Sequence, residues 1–364
     1  MTELEGTGTR TEAVPAHGGR RLEAARRYGI PKEEFLDFSA SISLLGPPPA
    51  AVNAVRTAIG QIGHYPEERA AGVAQAIAAT LGVAAAEVVP GNGSIEVIYW
   101  LARVLAPRRV LIVEPTFSEY RRACAGARCV NFPLLEDEGF VLDVKRIHPG
   151  GYDLVCVCNP NNPTGYLVPV DEIAWLSRRC RAAGAGLLVD EAFIDFAGGG
   201  QSILAGGLPA GLYVVRSFTK SFALSGLRLG CLVAAADFSE EVRRAMPPWN
   251  VNAFAAAAGK AALEDDGYLE RVRAETRLAR ARLYGDLDGI PGVQPLPSEA
   301  NFILCRLGGA GSGDVAGRLG RMGILVRDCR SFTGLGDRYV RVAVRSEREN
   351  YQLVSALRRV MAGA

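Results

Sequence analysis

The sequence predicts an α/β fold with a mainly parallel sheet, followed by a smaller α+β domain. Short apolar runs, such as LVCVCNPNNPTG and GLLVDEAF, alternate with helical stretches along most of the chain. Strands buried on both faces have such continuous apolar sequences, and their alternation with helices is typical of a parallel sheet covered by helices. Beyond about Met246 a long amphipathic stretch leads instead to short strands separated by a helix, which indicates a second domain.

The predicted elements follow one another in a regular order. Strands are predicted for EVVPGNG, RVLIVEPTF, LVCVCNPNNPTG, GLLVDEAF, YVVRSFTK and LGCLVAA, and later for NFILCRL, GILVRDC and YVRVAVRS. Helices are predicted for SIEVIYWLARVLA, VDEIAWLSRRCRAAG and DDGYLERVRAETRLARARLYGDLDG. We therefore divide the chain into an N-terminal arm at residues 1–45, a large domain at 46–250 and a small domain at 251–364. Within the arm, residues 1–16 are expected to be disordered.

Composition excludes several classes of function. The 364 residues carry 41 basic and 39 acidic side chains, a formal net charge of +2, so no basic field indicates a nucleic-acid partner. No apolar run approaches the ~18 residues of a membrane span, and the N-terminus has no apolar signal-peptide core. The eight cysteines lie mostly in apolar runs, as expected for buried thiols in a reducing compartment. We predict a cytoplasmic protein without a nucleic-acid or membrane partner.

The sequence shows no pattern of metal ligands. Cys156 and Cys158 lie two positions apart on a predicted strand and should face the same side, but no second Cys/His pair accompanies them. The three histidines are scattered. We therefore predict no metal site and expect the two cysteines to be packing residues.

Polar or glycine-rich residues follow several predicted strands, at the edge where open α/β sheets bind ligands. Asn92 and Gly93 open a helix whose free amides suit an anion, although a simple helix cap would look the same. Phe117 ends the next strand, where core packing is the alternative.

The loop NPNNPTG is more specific, because two Asn-Pro pairs and a glycine make a stiff polar loop. Asp190 ends a later strand, where a buried carboxylate needs a cationic partner, either a bound heterocycle or an arginine of the same chain.

The stretch SFTKSFALSGLRLG contains Lys220, one of only four lysines among 41 basic residues. A lysine amine can lose its proton and attack a carbonyl, whereas a guanidinium stays charged. Ser217, Thr219 and Ser225 supply hydroxyl groups beside it, and Arg228 supplies a cation. A phosphate held by hydroxyls and an arginine, next to a reactive amine, is a coherent site. Taken alone, Lys220 would be interpreted as a solvated surface lysine.

Together, the motifs NPNNPTG, DEAF and SFTKSFALSGLRLG resemble those of pyridoxal-phosphate enzymes of the aspartate aminotransferase fold type, and the resemblance extends from His17 to the C-terminus. It implies a large domain with a mainly parallel seven-stranded sheet, a smaller α+β C-terminal domain and pyridoxal 5′-phosphate as cofactor. In that family the lysine that matches Lys220 binds the cofactor through a Schiff base. Asp190 would pair with the pyridinium nitrogen, which keeps the ring an electron sink.

The same resemblance implies roles for further cofactor residues. Asn162 would donate a hydrogen bond to the 3′-oxygen of the cofactor, Phe117 would stack on its ring, and Phe193 would also line it. The phosphate would be held by Asn92, Gly93, Ser217, Thr219 and Arg228. Tyr65, in the motif HYPE, would reach the phosphate of the cofactor in the neighbouring subunit, which implies a homodimer.

The motifs HGG, LDFSA, LGPPP, HYPE, GNGSIEVIY and DEAFIDF resemble one branch of the family, the threonine-phosphate decarboxylases of cobalamin biosynthesis. This implies a carbon–carbon lyase that converts L-threonine O-3-phosphate, or a related phosphorylated amino acid, to an aminoalkyl phosphate and CO₂. Substrate contacts would come from His17, Gly18, Ser41, Arg327 and Arg341. Convergent guanidiniums suit a carboxylate and a phosphate, each held bidentately.

Three alternatives stay open on the sequence. An aminotransferase of the histidinol-phosphate type would use the same residues, because substrate orientation decides which bond breaks. A relative with an altered substrate is indicated by Arg20, Ser41, Ser43 and Leu44, where the decarboxylase motifs commonly have asparagine or proline. A non-catalytic cofactor-binding domain is disfavoured, because such domains usually carry a fused DNA-binding module and only 16 residues precede His17.

Overall fold

The computed structural model describes residues 17–363. Residues 1–16, for which the sequence predicts disorder, lie outside the described residues. The strands are β1 (Leu36–Asp37), β2 (Val88–Gly91), β3 (Arg109–Glu114), β4 (Arg128–Pro133), β5 (Leu154–Cys158), β6 (Gly186–Asp190), β7 (Leu212–Ser217), β8 (Gly230–Ala234), β9 (Val293–Pro295), β10 (Phe302–Leu307), β11 (Ile324–Leu325), β12 (Arg327–Asp328) and β13 (Tyr339–Ala343). The α-helices are α1 (Arg21–Tyr28), α2 (Pro49–Ala58), α3 (Ala71–Leu81), α4 (Ser94–Leu105), α5 (Glu119–Ala123), α6 (Val170–Ala182), α7 (Phe218–Ser221), α8 (Ala236–Ala245), α9 (Ala253–Leu263), α10 (Tyr268–Asp288), α11 (Ser312–Arg321) and α12 (Glu347–Ala362). None of these helices, all within residues 17–363, has the length and apolar character needed to span a bilayer.

Strands β2 to β8 form one sheet in the order β2-β8-β7-β6-β5-β3-β4. Neighbouring strands are parallel except at β8, which runs antiparallel to both β2 and β7. The mainly parallel seven-stranded sheet predicted from the sequence is therefore confirmed. Its central strands are apolar at nearly every position because helices cover both faces.

Two apolar clusters lie on the two faces of this sheet. Along β5, Val155 and Val157 belong to one cluster, whereas Leu154, Cys156 and Cys158 belong to the other. This alternation follows from the two-residue period of side chains along a strand. Cys156 and Cys158 therefore share one face, as predicted, and both are buried free thiols. Among residues 17–363, no group of three or more His, Cys, Asp or Glu side chains is arranged to hold a metal ion.

The C-terminal part of the chain contains a second sheet, in the order β12-β13-β10-β9, with antiparallel neighbours. Helices α10, α11 and α12 contribute Leu283, Leu319 and Leu357 to the apolar cluster that covers it. The predicted boundary at residue 250 lies just before α9, whose Ala255 and Ala258 pack with the core of the large sheet. The division into domains by residue number stays a prediction.

The N-terminal arm connects the two sheets. Its strand β1 pairs in parallel with β11 of the C-terminal part. Ala343 donates its backbone N–H to the carbonyl of Phe38 at 2.9 Å, and Ser43 donates its backbone N–H to the carbonyl of Lys220 at 2.9 Å. Residues 36–43 therefore run from the small sheet to the short helix that carries Lys220.

Candidate active site

Three neighbouring strands bring glycine and serine into one row across the large sheet. Gly230 on β8 lies opposite both Gly91 on β2 and Ser217 on β7. A Cβ atom on Gly230 would lie 2.8 Å from the carbonyl oxygen of Arg216 and 2.9 Å from the Cα of Ser94, so only glycine fits there. Because Ser94 begins α4, this close approach brings the N-terminus of that helix against the end of β7.

A guanidinium lies against the start of the same helix. Gly93 precedes α4 with φ of 86°, a conformation that favours glycine. A side chain at this position would collide with the guanidinium of Arg228, which donates from Nη1 to the carbonyl of Ser225 at 3.1 Å. Free backbone amides and a positive charge at one helix N-terminus suit an anion such as a phosphate.

Lys220 lies in α7, directly after β7. Its Nζ donates to Thr219 Oγ1 at 3.0 Å and lies 3.5 Å from Ser217 Oγ, and the centroid of the Phe193 ring is 5.7 Å away. Burial lowers the pKa of Lys220 to about 8. Asp190 raises this pKa, whereas the guanidiniums of Arg228 and Arg341 lower it further. More of this amine than of an ordinary lysine is therefore neutral, which is the form that attacks a carbonyl.

Asp190 ends β6 and is only 3% exposed. Tyr120 donates its hydroxyl to Oδ2 at 2.7 Å, and the backbone N–H of Ala192 donates to Oδ1 at 2.9 Å. Burial raises the pKa of Asp190, whereas the hydrogen bond from Tyr120 lowers it. The arginine of the adjacent strand, Arg216, pairs with other carboxylates, so a bound cation is left as the suitable partner for Asp190.

The NPNNPTG loop is held by its own polar side chains. Asn161 donates from Nδ2 to the carbonyl of Pro115 and to Thr164 Oγ1, both at 3.0 Å. Asn162 instead accepts on Oδ1 a hydrogen bond from Arg341. Because Oδ1 accepts from Arg341, Nδ2 is the atom of this amide that could donate to a ligand oxygen.

Two buried guanidiniums lie opposite each other in the small sheet. Arg327 on β12 and Arg341 on β13 are register partners, and like charges placed directly opposite are destabilising. Arg341 donates to Asn162 and, at 3.2 Å, to the carbonyl of Ser39, both neutral groups. Its Nε is buried without a hydrogen-bond partner among residues 17–363. Burial lowers the pKa of Arg341 to about 10, and a bound anion would relieve this cost.

The arm packs against the acceptor of Arg341. Gly18 approaches Ser39 so closely that a Cβ atom would collide with the Ser39 carbonyl. Ser41, two residues further on, is buried, and its Oγ has no hydrogen-bond partner within the described part of the chain. Ser41 therefore lies on the segment that leads from Arg341 to Lys220, and Gly18 packs against that segment at Ser39.

His17 lies against a carboxylate. Its Nε2 is 2.9 Å from Oε1 of Glu119, and its ring centroid is 5.8 Å from that of Phe117. Glu119 also accepts hydrogen bonds from Tyr99 at 2.8 Å and from Arg122 at 3.1 Å. The structure thus places His17 at the start of α5, and its predicted contact with the substrate stays a prediction.

Three predicted cofactor residues lie less deeply in the protein. Asn92 is exposed, and its backbone N–H donates to Oε2 of Glu96 at 2.6 Å. Phe117 is half-buried and makes an edge-to-face contact with Tyr120, with 5.7 Å between ring centroids. Tyr65 is 81% exposed and stacks on Trp249. Its predicted role in a neighbouring subunit is compatible with this exposure.

Sequence reasoning missed two features of the site. Tyr120 lies 70 residues from its partner Asp190, so no local signal connects them. Glu191, Asp195 and Arg216 form a buried ionic cluster. The available signal for the cluster was the presence of charged residues directly beside Asp190 and Ser217 at the ends of apolar strands.

The assembled residues fit the cofactor that the resemblance implies. The close approaches at Gly93 and Gly230 place the start of α4 beside the Arg228 guanidinium and the end of β7, where backbone amides and a positive charge suit a phosphate. Asp190 is a buried carboxylate suited to a cationic ring, and Lys220 supplies an amine of lowered pKa. An anionic phosphate, a cationic heterocycle and a carbonyl are the groups that pyridoxal phosphate would bring to these residues.

Comparison with known proteins agrees with this geometry. The family model of class I and II aminotransferases matches residues 33–357. The threonine-phosphate decarboxylase of Salmonella typhimurium is 38% identical over 358 residues, which cover 96% of this chain and 97% of that protein. The histidinol-phosphate aminotransferase of Clostridium acetobutylicum superposes with a TM-score of 0.84 at 29% identity, over 90% of this chain and 100% of the other. The L-threonine-O-3-phosphate decarboxylase of Porphyromonas gingivalis superposes with a TM-score of 0.82 at 26% identity, over 89% and 99% of the two chains.

These matches confirm the predicted aspartate-aminotransferase-like fold type. The family depends on pyridoxal phosphate, and a histidinol-phosphate aminotransferase with this fold has been solved in complex with it. The family match begins within the arm and ends in α12, so it includes both sheets and Lys220. The chain therefore belongs to the class I and II aminotransferase family of pyridoxal-phosphate-dependent enzymes.

Proposed function

We propose that this chain is a decarboxylase of a phosphorylated amino acid, with L-threonine O-3-phosphate or a close analogue as substrate. The observation that carries the proposal is the buried pair of opposed guanidiniums, Arg327 and Arg341, beside Asn162. A phosphate dianion would neutralise this pair close to Lys220. The similarity to the Salmonella decarboxylase over almost the whole chain supports the same assignment.

The residues that would hold the cofactor form two groups. The phosphate would be bound by Asn92, Gly93 and Arg228 at the N-terminus of α4, by Ser217 at the end of β7 and by Thr219 in α7, whose hydroxyl lies 2.7 Å from that of Ser217. At the other end of the ring, Asp190 would pair with the ring nitrogen and Asn162 would donate to the 3′-oxygen. Phe117 and Phe193 would flank the ring, and Lys220 would bind it covalently.

Pyridoxal phosphate, when bound, supplies an electron-withdrawing ring that accepts the electron pair of a bond broken at the α-carbon of the substrate. Asp190 contributes to this chemistry because its buried carboxylate stabilises the positive charge of the ring. The hydroxyl of Tyr120 favours the ionised form of that carboxylate, because its hydrogen bond lowers the pKa that burial raises. Lys220 Nζ holds the proton that is delivered to the α-carbon after CO₂ leaves.

The small sheet would decide which bond at the α-carbon breaks, because its residues would orient the substrate against the cofactor. For decarboxylation, the bond to the carboxylate would have to be the one whose electron pair the cofactor accepts. A guanidinium that gripped this carboxylate would stabilise its charge and oppose the loss of neutral CO₂. We therefore assign Arg327 and Arg341 to the phosphate of the substrate, with Gly18, His17 and Ser41 of the arm closing the pocket over it.

Incubation of the holoenzyme with O-phospho-L-threonine tests the proposal. Release of CO₂ together with an aminoalkyl phosphate, followed by mass spectrometry, is the expected result. Exclusive conversion of the cofactor to its pyridoxamine form, without CO₂, would contradict the decarboxylase assignment.

An aminotransferase of the histidinol-phosphate type is the second candidate, and the superposition with the Clostridium enzyme favours it. The pyridoxamine outcome with histidinol phosphate would support this candidate. A substrate other than threonine phosphate is compatible with Arg20, Ser41, Ser43 and Leu44, so a panel of phosphorylated amino acids belongs in the same experiment. We further place the enzyme in the cytoplasm and in cobalamin biosynthesis, which the resemblance of its motifs supports.

A further inference from the structure

We propose that the buried cluster of Glu191, Asp195 and Arg216, here called the Arg216 cluster, is a positioning device that holds two cofactor-site residues, Asp190 and Ser217, in place. The proposal concerns binding of the family's cofactor and does not depend on which reaction the enzyme catalyses.

The Arg216 cluster is closed by short polar contacts. The Nη1 atom of Arg216 lies 3.6 Å from Oε2 of Glu191, and its Nη2 atom donates to Oδ1 of Asp195. Glu191 also accepts from Ser202 Oγ at 2.7 Å and from the backbone N–H of Ile203 at 2.8 Å. All three charged residues are less than a tenth exposed.

Each member of the cluster lies within two residues of a site residue in the chain. Glu191 directly follows Asp190, Arg216 directly precedes Ser217, and Asp195 comes two residues after Phe193. The backbone N–H of Glu191 continues the ladder between β6 and β7, because it donates to the carbonyl of Val215 at 2.8 Å.

The cluster and the site face opposite sides of the sheet. Side chains alternate between the faces along a strand, so Glu191 and Arg216 point away from Asp190 and Ser217. When a side chain on one face of a strand is held in place, the strand cannot twist about its axis, and the adjacent side chain on the other face keeps its direction. The contact between Glu191, at the end of β6, and Arg216, on β7, joins the two strands on the face opposite the site. It therefore fixes the directions of Asp190 and Ser217 together.

Stability alone is a weak explanation for this arrangement. Buried ion pairs are often no more stabilising than apolar residues of the same volume, and this one combines two carboxylates with a single guanidinium. Burial raises the pKa of Glu191 and Arg216 lowers it, while the neighbouring Asp195 carboxylate adds to the rise. An arginine can contact two carboxylates through its two Nη groups in a fixed geometry, which a lysine cannot do.

The test compares cofactor affinity in two variants of the full chain freed of cofactor. Arg216→Lys keeps the charge but loses the two-pronged contact, and Asp195→Asn keeps the shape but loses a charge. Arg243→Lys is the matched control, because Arg243 bonds Glu240 at 3.0 Å and the carbonyls of Val88 and Ala86 at 3.1 and 3.0 Å, away from Lys220. The dissociation constant of pyridoxal phosphate is measured by equilibrium dialysis well below each melting temperature, together with the pH midpoint of the visible absorbance of the bound cofactor.

We expect both cluster variants to raise the dissociation constant about tenfold or more and to shift the pH midpoint, while the control stays within about twofold. If the cluster variants melt at lower temperature but bind the cofactor like the control, the cluster is only structural and the proposal is overturned. If one variant does not fold, the other decides, and failure of both to fold beside a folded control also overturns the proposal. A negative result in the decarboxylation assay leaves this comparison unaffected.

Discussion

At the scale of single residues, the surrounding protein lowers the pKa of the Lys220 amine and so makes more of it available in the neutral form that attacks a carbonyl. Burial is the main reason that its pKa falls to about 8. The unfolded chain keeps the ordinary lysine pKa of about 10.4, so between these two pH values it binds more protons than the folded protein. The free energy of unfolding of the cofactor-free protein therefore rises with pH across this window, as far as Lys220 is concerned.

The rate of covalent cofactor capture should follow this titration. Below pH 8 the neutral fraction of Lys220 grows roughly tenfold per pH unit, and above it the rate should level off. Stopped-flow absorbance of the cofactor-free protein mixed with pyridoxal phosphate measures the rate. Lys220→Ala should abolish covalent capture, whereas Lys260→Ala, at a half-exposed lysine near Glu264, should keep the profile. A rate that is flat up to pH 8 would contradict the lowered pKa.

Removal of the Tyr120 hydroxyl should weaken cofactor binding most strongly at low pH. In Tyr120→Phe the pKa of Asp190 rises further, because burial is no longer opposed by this hydrogen bond. A hydrogen bond to a charged group contributes about 1.5–3 kcal/mol, so affinity should fall roughly tenfold or more. The pH below which the cofactor is lost should move upward in an equilibrium titration.

Tyr99→Phe is the matched control for this variant, because the Tyr99 hydroxyl also donates to a buried carboxylate, that of Glu119. It should leave unchanged the pH below which the cofactor is lost. Cofactor loss at the same pH in both variants would argue against a special role for Tyr120.

The raised pKa of Asp190 also affects the stability of the cofactor-free protein. Since the folded pKa of Asp190 is raised, its contribution to that stability is present at low pH and lost as pH rises through that pKa.

At the scale of elements, the arm segment 39–43 joins the two parts of the site. The carbonyl of Ser39 accepts from Arg341, and the backbone N–H of Ser43 donates to the carbonyl of Lys220. The same short segment therefore contacts the proposed phosphate ligand and the lysine helix. Displacement of this segment should alter substrate binding before it alters the chemical step.

Gly18→Ala tests the packing of the arm. The added Cβ would collide with the backbone carbonyl of Ser39, which must shift and with it the acceptor of Arg341. We expect KM for the phosphorylated substrate to rise about tenfold while kcat changes less, because binding is affected more than chemistry. Steady-state kinetics measure both constants. Gly126→Ala, at a glycine with open space around its Cβ position, is the control and should behave like the wild type.

At the scale of the whole molecule, an exposed apolar patch indicates where a second copy would bind. Ile59, Ile62, Tyr65 and Trp249 are all more than 40% exposed, and Tyr65 stacks on Trp249 with 4.7 Å between ring centroids. Exposed apolar patches on a protein surface often mark protein–protein contacts. A homodimer with Tyr65 near the partner's cofactor is therefore our proposal for the assembly.

Mixing two inactive variants tests this assembly directly. Lys220→Ala and Tyr65→Ala are each expected to lose most activity, the second through weak binding of the partner's cofactor phosphate. If Tyr65 acts across the interface, subunit exchange creates mixed dimers with one intact site, and about a quarter of all sites should become active. Activity that does not recover after exchange, verified by mass spectrometry of mixed dimers, would contradict a shared site.

Much of the fold could be predicted because the information is local. The central strands are apolar throughout because both faces of the sheet are covered, and this pattern is visible in any short window of sequence. Lys220 could be singled out because its hydroxyl and arginine neighbours lie within a few residues. The predicted sharing of one face by Cys156 and Cys158 was correct because strand periodicity alone decides it.

The contacts that create the site could not be predicted in the same way. Tyr120 meets Asp190 across 70 residues, Arg341 meets Asn162 across 179, and Arg341 meets Ser39 across 302. The opposition of Arg327 and Arg341 depends on the register of two short strands. Neither long-range pairing nor register leaves a pattern in a single sequence.

The sequence by itself therefore determined the α/β class, through the local periodicity of its apolar residues, and the residue types available at the site. The fold type and the cofactor followed from the resemblance of its motifs to those of a known family. Only the tertiary structure decided that Asp190 is held by Tyr120, that the arm connects Arg341 to Lys220, and that Glu191, Asp195 and Arg216 form one buried ionic cluster. The physical reason is that these contacts form where sheet register and chain crossing bring distant segments together, and burial then determines the pKa of each group that meets there.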